Sequence, residues 1–181
     1  MKYYSEVTLK DGRRCILRNA EKKDGAAVLE NFILTHGQTD FLTSYPDECT
    51  FTVEGEEEYA QRKADSEREI EIIAELDGKI VGTAGVDSLG TYDKVKHRAG
   101  FGISIDQVCW GLGIGRALIN ACIECAKEAG YLQMELEVVA DNKAAMALYT
   151  SSGFTEYGRN PRGFRSRYSG WQETVLMRLE L

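Results

Sequence analysis

The segment Trp110-Gly111-Leu112-Gly113-Ile114-Gly115-Arg116-Ala117-Leu118 sets three alternate glycines directly before an amphipathic run. Lacking a Cβ, a glycine turns its N–H through dihedrals that other residues resist. A following helix adds unpaired N–H groups and the positive end of its dipole. The chemistry of such a segment is anion binding, phosphate first. Its spacing excludes two familiar versions. A dinucleotide fingerprint needs a small residue three places after Gly113, where Arg116 stands, and a P-loop needs Lys followed by Ser or Thr, a pair that does not follow these glycines. Read alone, the same glycines also suit a ligand-free turn between a strand and a helix.

Other reactive side chains point to less. Cys122 and Cys125 form a CxxC, but Ile114, Ala117, Leu118, Ala121, Cys122 and Cys125 share one helical face, so both thiols read as small core residues. His36 and His97 are the only histidines, too few for a metal cluster with those cysteines, and no GxSxG elbow occurs. Hydrolase and metalloenzyme readings are set aside.

Downstream of the glycines, after one helix and one strand, come Asp141-Asn142-Lys143-Ala144-Ala145-Met146-Ala147-Leu148-Tyr149 and then Gly153-Phe154. Together with Leu136-Glu137-Val138, these segments resemble the coenzyme A motif of the GNAT superfamily of acyl-CoA-dependent N-acetyltransferases. The resemblance runs from about Ile103 to Phe154, and elsewhere only the order of elements agrees. Where the family often carries Gln or Arg, this chain has Trp110.

The resemblance implies acetyl-CoA as cosubstrate, no metal, and direct transfer of the acetyl group to a primary amine whose identity stays open. It further implies that Ile103, Ser104 and Ile105 lend edge backbone groups to the pantetheine arm. Gly111, Leu112, Gly113, Ile114, Gly115 and Arg116 would hold the pyrophosphate, and Asn142 would lie near the pantetheine and the reacting centre. Tyr149 matches the tyrosine that gives a proton to the departing thiolate. With reference pKa values of about 10 for phenol and about 8.5 for thiol, full transfer is uphill by about 2 kcal/mol, so Tyr149 acts first as a hydrogen-bond donor to developing charge. Glu137 sits where members that acetylate protein N-terminal alanines carry Leu-Glu-Val, and is the candidate for assisting amine deprotonation. Burial on a covered sheet would raise its pKa toward that of a general base.

Each of these residues also has a plainer reading. Asn142 suits an N-cap, Arg116 an exposed helix face, Tyr149 apolar packing, and Glu137, like Glu135, a solvated strand face. From another class, an acyl-CoA-binding sensor without turnover would keep the same cradle.

The elements that must position these residues follow from pattern. Residues 6 to 18 read as a strand or hairpin around Asp11-Gly12, and residues 21 to 35 as a helix ending at His36-Gly37. Residues 40 to 53 read as a loop. Residues 54 to 66 form a second helix whose first turn gathers Glu54, Glu56, Glu57 and Glu58 at the positive dipole end. Residues 70–76 and 79–86 flank Asp77-Gly78 as a hairpin, and residues 98–106 alternate as a strand. A helix over 113–129 stops at Gly130; a strand over 132–139, a short helix over 142–151 and strands over 154–158 and 172–179 complete the order. Arg159, Arg162, Arg165 and Arg167, interspersed with Phe164 and Tyr168, read as a basic aromatic loop, solvated or facing an acidic or aromatic part of a substrate. The expected architecture is a single α/β domain over residues 1–181, with a mixed, mostly antiparallel sheet flanked by helices.

Composition bounds the partners. The chain has 181 residues, 43% hydrophobic, and a net charge of −7 from 29 acidic and 22 basic residues. That balance disfavours nonspecific nucleic-acid binding and suits cationic amines. No run of about 18 apolar residues suits a membrane span, and Met1-Lys2-Tyr3-Tyr4-Ser5-Glu6 lacks the apolar run of a signal peptide. The expectation is a cytoplasmic protein with five reduced cysteines, with homodimerisation left open.

Overall fold

In the computed structural model, which describes residues 1–181, eight strands share one sheet. They are β1 (Tyr4–Thr8), β2 (Arg14–Asn19), β3 (Ile70–Leu76), β4 (Lys79–Ser88), β5 (Arg98–Ile105), β6 (Gln133–Val139), β7 (Thr155–Ser166) and β8 (Gly170–Glu180). Their spatial order is β1-β2-β3-β4-β5-β6-β8-β7, antiparallel throughout except for the β5–β6 pair. Four helices complete the chain: α1 (Gly25–Gln38), α2 (Val53–Asp65), α3 (Ile114–Glu128) and α4 (Lys143–Ser151).

Alternation along the strands divides the sheet into two faces. Ile70, Ile72, Ala74 and Leu76 of β3 join Ala84 and Val86 of β4 and Met134, Leu136 and Val138 of β6 in the main core. There they meet Ile114, Leu118, Ala121, Cys122 and Cys125 of α3 and Tyr149 of α4. On the opposite face Ile73 joins a smaller cluster with Ala20, Val28 of α1 and Ala60 of α2. Leu118 and Ile119 are fully buried. Truncating either to Ala costs about 2–5 kcal/mol.

Turn chemistry fixes the register. Asp77 and Gly78 both take positive φ, 52° and 77°, as a two-residue hairpin with right-handed twist demands. The Thr52 hydroxyl accepts a hydrogen bond from the Gly55 N–H at 3.1 Å and starts α2, while Gly130 (φ 77°) ends α3. α1 runs past Gly37 to Gln38, beyond the stop expected there.

The C-terminal segment differs more. In place of a basic loop between two short strands, β7 and β8 form one long hairpin, with irregular register between Glu156 and Gly158 and between Asn160 and Phe164. The interspersed glycines and arginines hide a strand whose pairing is set by β8.

Candidate active site

β5 and β6 pair only at Arg98–Gln133, Ala99–Met134 and Gly100–Glu135, although both strands continue. Beyond Gly100, β6 stays bonded to β8 along its whole length, while β5 keeps only β4 as a neighbour. A wedge-shaped gap therefore opens between two parallel strands inside the sheet. Asp106 donates to the Val81 carbonyl at 2.8 Å, which fixes the phase of the β4–β5 ladder. By alternation, the backbone groups of Phe101, Ile103 and Ile105 face the gap, whereas those of Ser104 are committed to β4. Of the three residues expected to offer main-chain groups there, Ile103 turns both toward the gap and Ile105 its N–H, its carbonyl accepting from Trp110. Ser104 brings only its hydroxyl, on the open face.

The gap ends at the glycine turn. Gly111 (φ 78°) and Gly113 (φ 103°) both lie in the left-handed region, and a Cβ on either would meet no atom within 4 Å. The space beside them is open, as the approach of an anion requires. Gly115 differs: its φ is ordinary, but a Cβ there would lie 2.9 Å from Leu148 Cδ2 and 3.3 Å from Ile105 Cδ1. It lets α3 close on α4. Leu112 and Ile114 present their N–H groups in the same turn; the Ile114 side chain is buried, and the Leu112 carbonyl accepts from the Lys10 N–H at 3.0 Å. Trp110, half-exposed, donates its indole N–H to the Ile105 carbonyl at 2.8 Å and so braces the end of β5. Arg116 lies across α4, donating to the Ser151 carbonyl at 3.1 Å and to the Ser151 hydroxyl. Its observed contacts are structural.

Asn142 caps α4, its Oδ1 accepting from the Ala145 N–H at 3.1 Å. That cap aims α4 so that Tyr149 packs edge-on to Phe101 of β5, with ring centroids 6.2 Å apart, and beside Phe154 at 5.9 Å. Tyr149 is buried, its hydroxyl makes no hydrogen bond within the protein, and burial pushes its pKa up. A phenol held neutral beside the gap is a donor without a partner.

Glu137 does not meet the burial expectation. It is exposed on the face opposite Tyr149 and accepts a hydrogen bond from the Thr174 hydroxyl of β8. The reason is the placement of the helices: α1 packs mainly on β4, α2 on β3, and β6 stays open. Glu135 is held otherwise. The Arg98 guanidinium grips both its oxygens, Gln133 and Tyr157 also donate to it, and these contacts keep its carboxyl below the usual range, Arg98 first.

No pattern within β3 marks a third carboxylate on this face. Glu71 of β3 lies so flat over β4 that a Cβ on Gly85 would stand 2.7 Å from its Oε2. Burial pushes its pKa up to about 7, only partly offset by Lys63. The far end of the site is walled by the segment between α1 and α2. Asp40 accepts hydrogen bonds from Tyr45, Ser166, Ser169 and Gln172, and Arg167 grips Asp47 while covering the Tyr45 ring at 4.2 Å. Residues expected as a loop thus clasp the β7–β8 hairpin. Cys122 and Cys125 are buried and free, burial raising both thiols, and belong to the core as expected.

Comparison with known proteins agrees with this geometry. The model of the acetyltransferase (GNAT) family matches residues 38–154. An N-alpha-acetyltransferase RimI of Mycobacterium tuberculosis is 36% identical over 88 residues, covering 49% of this chain and 53% of that protein. The ribosomal protein bS18 alanine N-acetyltransferase of Escherichia coli is 35% identical over 81 residues, covering 45% and 54%. The chain thus spans about half the length of these curated relatives. Among solved structures, a GNAT-family acetyltransferase from Streptococcus pneumoniae superposes with a TM-score of 0.88 at 28% identity, over 92% of this chain and 99% of that one. The acetyltransferase yncA of Salmonella typhimurium, solved with acetyl-CoA, superposes with a TM-score of 0.81 at 21% identity, over 92% and 94%.

Proposed function

The chain belongs to the acetyltransferase (GNAT) family, and from that premise we propose that it moves the acetyl group of acetyl-CoA directly onto a primary amine. One observation carries the reading: the unpaired stretch of β5 from Phe101 to Ile105 opens a gap that ends at an anion-receiving glycine turn and has the unpartnered Tyr149 at its side. The pantetheine arm pairs with the free backbone groups of Ile103 and with the N–H of Ile105, whose carbonyl is held by Trp110, as an added strand would. The pyrophosphate takes the N–H groups of the turn from Gly111 to Gly115 and of the first residues of α3. Asn142 contributes by aiming α4, and Arg116 by holding α3 and α4 together.

The chemistry follows from the two faces. The amine arrives over the open face of β5 and β6, where no helix covers Gly102 or Glu137. It attacks the thioester carbonyl, and charge gathers on sulfur as the C–S bond breaks. The Tyr149 hydroxyl meets that charge from the other face. The printed names of the curated relatives, an N-alpha-acetyltransferase and a ribosomal protein alanine N-acetyltransferase, support an amine as second substrate. The acetyl-CoA in the Salmonella structure supports the first. Five free cysteines, four of them buried, support a reducing, cytoplasmic setting. No helix is long and apolar enough to cross a membrane.

The experiment incubates the protein with acetyl-CoA and a panel of primary amines while free thiol is measured. Thiol release that depends on the amine supports the reading. Tight acetyl-CoA binding with no thiol release from any amine would make the chain an acyl-CoA sensor instead.

A further inference from the structure

The face that receives the amine carries a carboxylate, Glu71, that forms no ion pair and whose side-chain hydrogen bond comes from the Thr83 hydroxyl. Along β3, Glu71 points away from the main core, toward the side on which α2 packs. Its neighbour on β4 is Gly85, and the neighbour of Gly85 on β5 is Gly102. The first glycine leaves room for the carboxylate: a Cβ on Gly85 would stand 2.7 Å from Glu71 Oε2, so the flexible end of that side chain would have to move aside. The second is exposed, with nothing within 4 Å of where its Cβ would be. Two side-chain-free positions in register thus make an open floor between the Glu71 carboxylate and the edge of the β5–β6 gap. Adjacent strands lie about 4.8 Å apart, so one strand spacing separates Gly85 from Gly102 and the gap opens on the far side of that strand, within reach of a short chain of waters.

The charges around Glu71 are accounted for on every packed element. From α2, Lys63 is buried and donates to the Val86 carbonyl at 3.2 Å and to the Asp87 carboxylate, so Asp87 holds the cation. Tyr59, also on α2, sits under Lys63 with the ammonium 5.2 Å from its ring centroid, and Glu56 adds a second half-buried acid. The Thr83 hydroxyl on β4 donates to the Glu71 carboxylate and carries no charge. Farther along the sheet, Arg18 is consumed by Asp24 and Glu75. Along β5, before the gap opens, Arg98 is consumed by Glu135. Glu71 therefore has no ion-pair partner of its own, while Glu137 is exposed and engaged by Thr174.

We propose that Glu71 is the proton acceptor for the amine substrate. This assignment rests on the acetyl-transfer reading above. The amine arrives as ammonium and passes one proton to the Glu71 carboxylate through bridging water. The neutral nitrogen then forms the C–N bond to the thioester carbon. As the adduct collapses, the C–S bond breaks, the nitrogen loses its second proton to water, and sulfur takes a proton from Tyr149, which recovers one from water. Glu71 returns its proton to solvent, so each turnover releases one proton, one acetamide and one coenzyme A. The raised affinity of Glu71 for a proton, from burial among Glu56, Asp87 and Tyr59, suits this exchange near neutral pH. The surplus of carboxylates also favours acceptors that bring positive charge.

The test compares the wild type with Glu71→Gln, Glu71→Asp and Glu137→Gln, using acetyl-CoA with a simple alkylamine, an alanine-starting peptide and a lysine-containing peptide. Below about pH 7.5, Glu71→Gln should lose about 100-fold in kcat/KM, the usual scale of acid–base assistance. The deficit should shrink as pH rises and the amine arrives already neutral. Glu71→Asp should recover part of the loss, and affinity for acetyl-CoA should be the same in all three variants. Glu137→Gln should follow the wild-type pH profile. A Glu71→Gln profile parallel to the wild type, or the pH-dependent loss appearing in Glu137→Gln instead, would overturn the assignment. A wild type that binds acetyl-CoA and acetylates none of the amines would overturn the transfer reading, and this assignment with it.

Discussion

Tyr149 combines two roles that look exclusive in sequence. Its ring closes the core against Phe101 and Phe154, and its hydroxyl is left unbonded beside the gap. Tyr149→Phe keeps the ring and removes only the donor. Its kcat should fall by about 10- to 100-fold with little change in acetyl-CoA affinity, because the hydroxyl matters only as charge builds on sulfur. Single-turnover kinetics beside calorimetric binding measures the split, and equal kcat in a chemistry-limited assay would return Tyr149 to packing alone. Glu71 makes a separate prediction about stability. Its folded pKa, about 7, stands above its ordinary 4.5. The folded form with Glu71 protonated is fully favoured below about pH 4.5, and that contribution is lost as pH rises through 7. Glu71→Gln stays neutral throughout. Its unfolding free energy should match the wild type near pH 4.5 and exceed it above pH 7, by an amount on the order of 1 to 3 kcal/mol, read from denaturant melts at each pH. A difference that does not change with pH would show Glu71 to be unperturbed.

Among the elements, the turn into α3 uses its glycines for different reasons. Gly113 is held at φ 103° with open space around it, whereas Gly115 is pressed against Leu148 and Ile105. Gly113→Val would have to leave the left-handed region, at a cost of about 1–3 kcal/mol, and would fill the space that the phosphates approach. Acetyl-CoA affinity should fall at least about 10-fold while the protein stays folded, as isothermal calorimetry and circular dichroism on the same sample would show. Unchanged affinity would mean that the turn does not hold the coenzyme. This element was legible in the sequence because its determinants are local. The alternate glycines, Asn142 ahead of α4 and the apolar stripe of α3 each act within a few residues of themselves. The hairpin of β7 and β8 was not, because Arg159 and Arg165 look like loop residues until β8 pairs with them. The role of Glu71 was hidden for a similar reason. It depends on a glycine in β4, another in β5 and a lysine in α2, and no pattern within β3 announces those neighbours.

The whole molecule places its chemistry at the one position where the sheet is unfinished. α3 and α4 cover one face and bring Tyr149; α1 and α2 cover only part of the other, leaving Gly102, Glu71 and Glu137 around an open approach. The segment around Asp40 and Tyr45 clasps the β7–β8 hairpin and closes the far wall. In the proposed reading the coenzyme would complete the sheet, and the acceptor would meet it from the face opposite the tyrosine. The central claim is that acetyl-CoA lies in the gap between β5 and β6. The most direct measurement is a backbone amide map by heteronuclear NMR during titration with acetyl-CoA. The account predicts that the largest shifts fall on Ile103 and Ile105 and on the turn from Gly111 to Gly115, with little movement on β1 or β2. Saturable binding that leaves Ile103 and Ile105 unmoved, while shifting amides elsewhere, would contradict it.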